Sequence, residues 1–162
     1  GHFEVLHHTQ FIAELLAQGR IAVRAQLQRV VFHDPCYLGR HNAEFDAPRA
    51  VLARLCGDTP LEMALNREKA MCCGAGGGRM WLEETLGRRI NVLRAEQALA
   101  VQPAVIATAC PYCAVMMGDG LGALTPDGPV VARDIAELVA QSLIGKPAMG
   151  TEVDRVGAPV AG

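Results

Sequence analysis

Five of the six cysteines in this 162-residue chain fall in three separated stretches rich in Pro or Gly, "HDPCYLGR", "AMCCGAGGGRMW" and "ATACPYCAVMM". Thirty-five residues lie between Cys36 and Cys72, 36 lie between Cys73 and Cys110, and Cys113 closes the tetrad Cys110-Pro111-Tyr112-Cys113. Adjacent Cys72 and Cys73 are poorly suited to bond to each other, because a disulfide needs well-separated Cα atoms and converging Cβ vectors. Each therefore looks for a different partner. Five thiolates gathered without compensation would repel one another and resist desolvation, so a bound cation or cluster explains them. A single zinc takes four ligands, and five thiols point instead to a polynuclear site or to one spare thiol. Cys56, in "AVLARLCG", follows the apolar pattern and reads as a buried residue near a helix C-terminus.

The glycines that follow the cysteine pair, Gly74, Gly76, Gly77 and Gly78, suit a polynuclear site. Bare backbone approaches closely and donates N–H groups to cluster sulfides, which raises a reduction potential. Arg40, Arg79, Arg88 and Arg89 offer charge to offset an anionic centre, or else form a solvated helix face. Zinc held by four of the five cysteines would make the chain a structural or interaction module. In a thiol–disulfide reading of the glutaredoxin kind, Cys110 is the nucleophile and Cys113 its resolving partner. That reading leaves Cys36, Cys72 and Cys73 unused. A phosphate cradle at "CCGAGGGR" lacks the Lys-Ser/Thr of a P-loop.

Several neighbours carry two readings. His33 and Asp34 either tune the centre and carry a proton, or end a strand with Asp34 capping the next turn. Trp81 either shields the site or packs in the core. Glu83 and Glu84 read as first-turn charges of a helix. His7 and His8 belong to a helix boundary, His41 to the loop after Cys36, and Met116 and Met117 to the core.

These residues need elements to hold them. A helix is expected from Thr9 as N-cap through Phe11, Ile12, Leu15 and Leu16 to a stop at Gly19. Val30 to Phe32 reads as a strand ended by Asp34-Pro35, and Pro48 to about Cys56 as a helix. A long helix is expected from about Met80 to Ala100, so that the glycine loop meets its N-terminus. Ala104 to Thr108 is a buried strand, followed by cysteines and a helix to about Met117. "VVARDIAELVAQSL" supplies a last strand and helix, and residues 145–162 have the composition of a flexible tail. The alternation predicts an α/β fold with a mainly parallel sheet, flanking helices and the cysteine loops at the carboxyl edge of the strands.

The bulk properties narrow the partners. A net charge of −2 with 20% charged residues offers neither a basic field for nucleic acid nor a polybasic anchor for acidic lipid. No apolar run approaches the roughly 20 residues of a membrane span and no signal peptide is visible, which reads as cytoplasmic. Residues 1–144 form one expected domain. The start without Met, with Phe3, Val5 and Leu6 already apolar, reads as the later part of a longer protein.

Together, "HDPCYLGR", "NREKAMCCGAGGGRMWLEE" and "ATACPYCAVMM" resemble the cysteine-rich CCG domain of heterodisulfide reductase subunits B and D, glycolate oxidase iron–sulfur subunits and related iron–sulfur oxidoreductases. The resemblance runs from about Phe3 to Leu143. "GAGGGRMW" is most similar to the membrane-associated branch thought to pass electrons from electron-transfer flavoprotein toward a quinone. The resemblance implies a 4Fe–4S cluster, noncubane where best understood, held by Cys36, Cys72, Cys73, Cys110 and Cys113. It also implies upstream ferredoxin-like and second CCG segments in the parent protein, and a place at the cytoplasmic face of a membrane. With one motif in this chain, electron relay is expected ahead of two-cluster cleavage of a disulfide.

Overall fold

Val30, Val31 and Phe32 are all buried, so strand β1 (Val30–Phe32) is sheltered on both faces, as a central strand of a parallel sheet must be. The computed structural model describes residues 1–145, and the expected tail beyond Gly145 lies outside them. β1 pairs with β2 (Leu61–Glu62) on one side and β3 (Val105–Thr108) on the other, and β4 (Val131–Asp134) completes the order β2-β1-β3-β4. All three pairings are parallel, with Val31 opposite Ile106 and Phe32 opposite Ala107.

Side chains alternate across a strand, and the core divides accordingly. Val30 and Phe32 face α1 (His8–Ala17), α2 (Asp46–Cys56) and α5 (Ile135–Ser142), in one cluster with Val51, Leu52, Leu55, Ile135 and Leu138. Val31 and Ile106 face α3 (Ile90–Leu99) and α4 (Pro111–Leu124), against Ala95, Ala98, Met117 and Leu121. α3 and α4 approach closely where Gly120 lies, since a Cβ there would fall 2.7 Å from the Asn91 carbonyl oxygen and 3.0 Å from Ala95 Cβ. Cys56 ends α2 as expected, but it is only partly buried, at the edge of the first of these cores.

Four local expectations change. α1 is capped by His7, whose Nδ1 accepts the Thr9 amide at 3.3 Å while Gln10 Oε1 accepts the His7 amide at 2.9 Å. Thr9 is instead buried, its hydroxyl 2.8 Å from the same nitrogen. α2 starts at Asp46, with Pro48 in the first turn, where a missing N–H costs nothing. β2 escapes sequence reading because it has two residues and no β-branched side chain.

The long helix from Met80 is absent. Residues Gly76–Trp81 form a 3-10 turn in which Gly77 and Gly78 have φ of +66° and +74°, and Gly87 has φ +69°. Those left-handed glycines stop propagation, and Leu82 and Leu86 are exposed, so no buried face repays helix nucleation before Ile90. Glu83 and Glu84 therefore precede α3 and are not first-turn charges.

Candidate metal centre

The chain runs from β1 to β2 at one side of the sheet and returns to β3 at the other, which makes the gap beyond the ends of β1 and β3 a topological switch point. Cys36 lies in the turn after β1, held by the Gly39 amide on Pro35 O at 2.9 Å and the His41 amide on Cys36 O at 3.1 Å. Cys110 follows β3 as the N-cap of α4, with Pro111 at the first helical position and Cys113 buried in the first turn. Cys72 and Cys73 arrive from the connection before the glycine turn. That connection is braced by Arg40, whose Nη2 donates to Ala70 O at 2.6 Å.

All five expected cysteines line one cavity of about 330 Å³. Gly76, Gly77, Gly78 and Trp81 form part of its wall, and Trp81 is 79% exposed, so it borders the mouth and does not pack in the core. Gly74 follows the cysteine pair directly, its amide donating to Cys72 Sγ at 3.3 Å. Gly74 has φ +90°, and a Cβ there would lie 3.0 Å from Ile90 Cβ, so this position requires glycine.

The sulfurs perturb one another. Cys113 donates to Cys73 Sγ across 3.3 Å, both groups being buried. That hydrogen bond holds Cys73 well below the ordinary thiol range, while Cys113 is pushed up first by its hydrogen bond with Cys110 and then by the one with Cys73 and by burial. Cys110 is pulled down to about 6, first by its hydrogen bond with Cys113 and then by the amides of Cys113 and Tyr112, against the effect of burial. Cys36 is pushed up by burial and by the negative potential of Cys72 and Cys73. A shared cavity in which Cys73 and Cys110 are held toward the thiolate while Cys36 and Cys113 are pushed the other way fits a cation-containing guest, which would compensate all of them.

Behind the sulfurs stands a polar pair that sequence reading only half identifies. His33 and Arg94 are both fully buried, and Arg94 Nε donates to His33 Nδ1 at 3.0 Å. Burial pushes His33 below its usual range. Arg94 Nη1 donates to Leu65 O at 2.9 Å and to Gln97 Oε1 at 2.7 Å. A ring nitrogen of His33 and the sulfurs of Cys73 and Cys113 lie within 4.8 Å of one another. Arg94 escapes sequence reading because an arginine in a helix reads as a surface residue. The available signal is spacing: Asn91, Arg94, Ala95 and Ala98 form the buried stripe of α3. Asn91 Nδ2 also donates to Met116 O at 3.1 Å, tying α3 to the helix that carries Cys113.

The remaining candidates separate from the centre. Asp34 does not cap the next turn through its side chain. It accepts Arg49 Nη1 at 2.7 Å and Nη2 at 3.0 Å, and the Arg67 amide at 2.9 Å, while Arg49 also grips Glu62. Arg79 pairs with Glu84 and Arg88 with Glu96 on the surface. His41 stacks near Tyr37, with ring centroids 5.1 Å apart. Met117 fills the core as expected, whereas Met116 packs directly on Cys73 and Cys113.

The chain is 50% identical over 143 residues to the probable iron-sulfur-binding oxidoreductase FadF of Bacillus subtilis, covering 88% of this chain and 20% of that protein. It is 38% identical over 151 residues to the EtfAB:quinone oxidoreductase of Syntrophomonas wolfei, covering 88% and 21%. A subunit of the dihydromethanophenazine:CoB–CoM heterodisulfide reductase of Methanosarcina barkeri is 39% identical over 142 residues, covering 87% and 34%. The chain thus spans about a fifth to a third of the length of these curated relatives. Among the described residues, no helix is long and apolar enough to cross a membrane. The CCG cysteine-rich domain is matched over residues 30–118, the stretch that supplies all five cavity cysteines, and the chain belongs to that family.

Proposed function

We propose that the chain is an iron–sulfur electron-transfer module of a larger oxidoreductase, with residues 1–144 as one domain. Cys36, Cys72, Cys73, Cys110 and Cys113 are the proposed ligands of a 4Fe–4S cluster, in cubane or noncubane form, and Gly74 and Gly76 supply close backbone. The observation that carries the reading is the shared cavity: five thiols from three distant stretches line it together. Such a cluster, when bound, takes up and releases an electron. The protein's part is to hold the sulfurs in place, exclude water at the rear with Met116, and set the local potential through amides and buried charge. Relatives named for iron–sulfur binding and for EtfAB:quinone oxidoreduction support electron-transfer flavoprotein as donor and a quinone as eventual acceptor, through other segments of the parent protein. A relative named a probable membrane-anchored ferredoxin supports work at a membrane, and the cytoplasmic face is part of the proposal.

Anaerobic reconstitution with iron and sulfide tests the reading. The expected product is brown, with about four irons per chain and matching acid-labile sulfide. A colourless protein that retains zinc and takes up no iron would make it a structural zinc module.

A further inference from the structure

We propose that Arg94 locks His33 in the tautomer that carries its proton on Nε2, making His33 a hydrogen-bond donor to the Cys73 sulfur and excluding it as a metal ligand. The inference deepens the iron–sulfur reading and rests on it for the effect on the cluster, though the tautomer itself does not.

His33, Cys73 and Cys113 have the composition of a three-ligand metal site, with their ligand atoms within 4.8 Å. Arg94 decides against that use. A guanidinium carries donors only and is not deprotonated in proteins, so the nitrogen that accepts Arg94 Nε at 3.0 Å must present a lone pair. That nitrogen is Nδ1. In a neutral imidazole the other nitrogen, Nε2, then holds the proton and has no lone pair to give a metal.

Nε2 is buried with no hydrogen-bond partner in this structure, the position of a donor without an acceptor in place. The Cys73 sulfur, grouped with Cys113 and a His33 ring nitrogen within 4.8 Å, is the acceptor that the proposal assigns to it once a cluster holds it as thiolate. Donation to a cluster-bound thiolate withdraws electron density from it and raises the reduction potential. Arg94 contributes in the same sense, as a fully buried cation separated from the sulfurs by the His33 ring. Its other contacts, to Leu65 O and Gln97 Oε1, prevent it from swinging away from His33.

The test uses the chain with nitrogen-15 histidine. Expected is a pyridine-type shift at His33 Nδ1 and a pyrrole-type shift at Nε2; a proton on Nδ1 overturns the proposal. Pulsed electron paramagnetic resonance of the loaded, reduced protein should show only weak nitrogen coupling, and a strong coupling from a directly bound nitrogen overturns it too. His33→Leu should lower the midpoint potential, while His33→Gln, which keeps an N–H donor, should recover part of the shift. Equal potentials in all three proteins, at equal iron content, sink the donor role. Iron and sulfide are measured on the same samples: a chain that takes up no cluster removes the proposed function, whereas the nitrogen shifts still decide the tautomer.

Discussion

At the rear of the cysteine cavity, Cys73 is 4% exposed and packs with Cys113 and Met116 in front of the buried His33–Arg94 pair. At its mouth, Tyr37 is 76% exposed, and Trp81, Leu82 and Leu86 stand in solvent on a segment with three left-handed glycines. The rear is held by strand ends and by two helices in close contact, so its atoms have few alternatives. Among the described residues, no layer covers the mouth. The sulfurs are therefore positioned mainly from behind, and the front contributes access and backbone.

That division makes graded predictions. Cys73→Ser, at the rear, should reduce retention of iron by at least about tenfold, measured by metal content after gel filtration, since even supporting residues of metal sites cost that much. Retention at the wild-type level would show that the rear does not grip the guest. Arg49→Met should destabilise the chain by about 3–5 kcal/mol in urea unfolding, because it strands the buried Asp34 carboxylate. A loss under about 1 kcal/mol would place that ion pair among the dispensable surface pairs. Gly120→Ala should cost about 1–3 kcal/mol by wedging α4 away from Asn91 and Ala95, with a blue-shifted or broadened cluster absorption as Cys113 moves. Smallest is Trp81→Ser, expected to change unfolding free energy by no more than about 0.5 kcal/mol. A loss of several kcal/mol would mean that the mouth is part of the core.

The rear is the more legible half in its cysteines and the less legible in its charges. Val30 to Phe32 ahead of Asp34-Pro35, and Val105 to Thr108 ahead of Cys110-Pro111, mark strand ends by composition alone, so the parallel fold and the meeting of Cys36 with Cys110 follow. The burial of Arg94 and Asp34 is hidden because a charged side chain is ordinarily a solvated one, and only its tertiary partner reveals otherwise. The mouth misleads for a different reason. Met80, Leu82, Leu86 and Ile90 keep a helical apolar rhythm, but rhythm needs a surface to pack on, and the described residues offer none at Leu82 and Leu86.

The strand order β2-β1-β3-β4 also governs the sequence of assembly. Neighbouring β1 and β3 are joined only after most of the domain has been synthesised, and such non-local pairing is slow to form. The thiols cannot gather until it does. Loading of the proposed cluster must consequently wait for that pairing, and a nascent chain stalled before residue 105 would hold only its first three cavity cysteines, open to scavenging metals and oxidants.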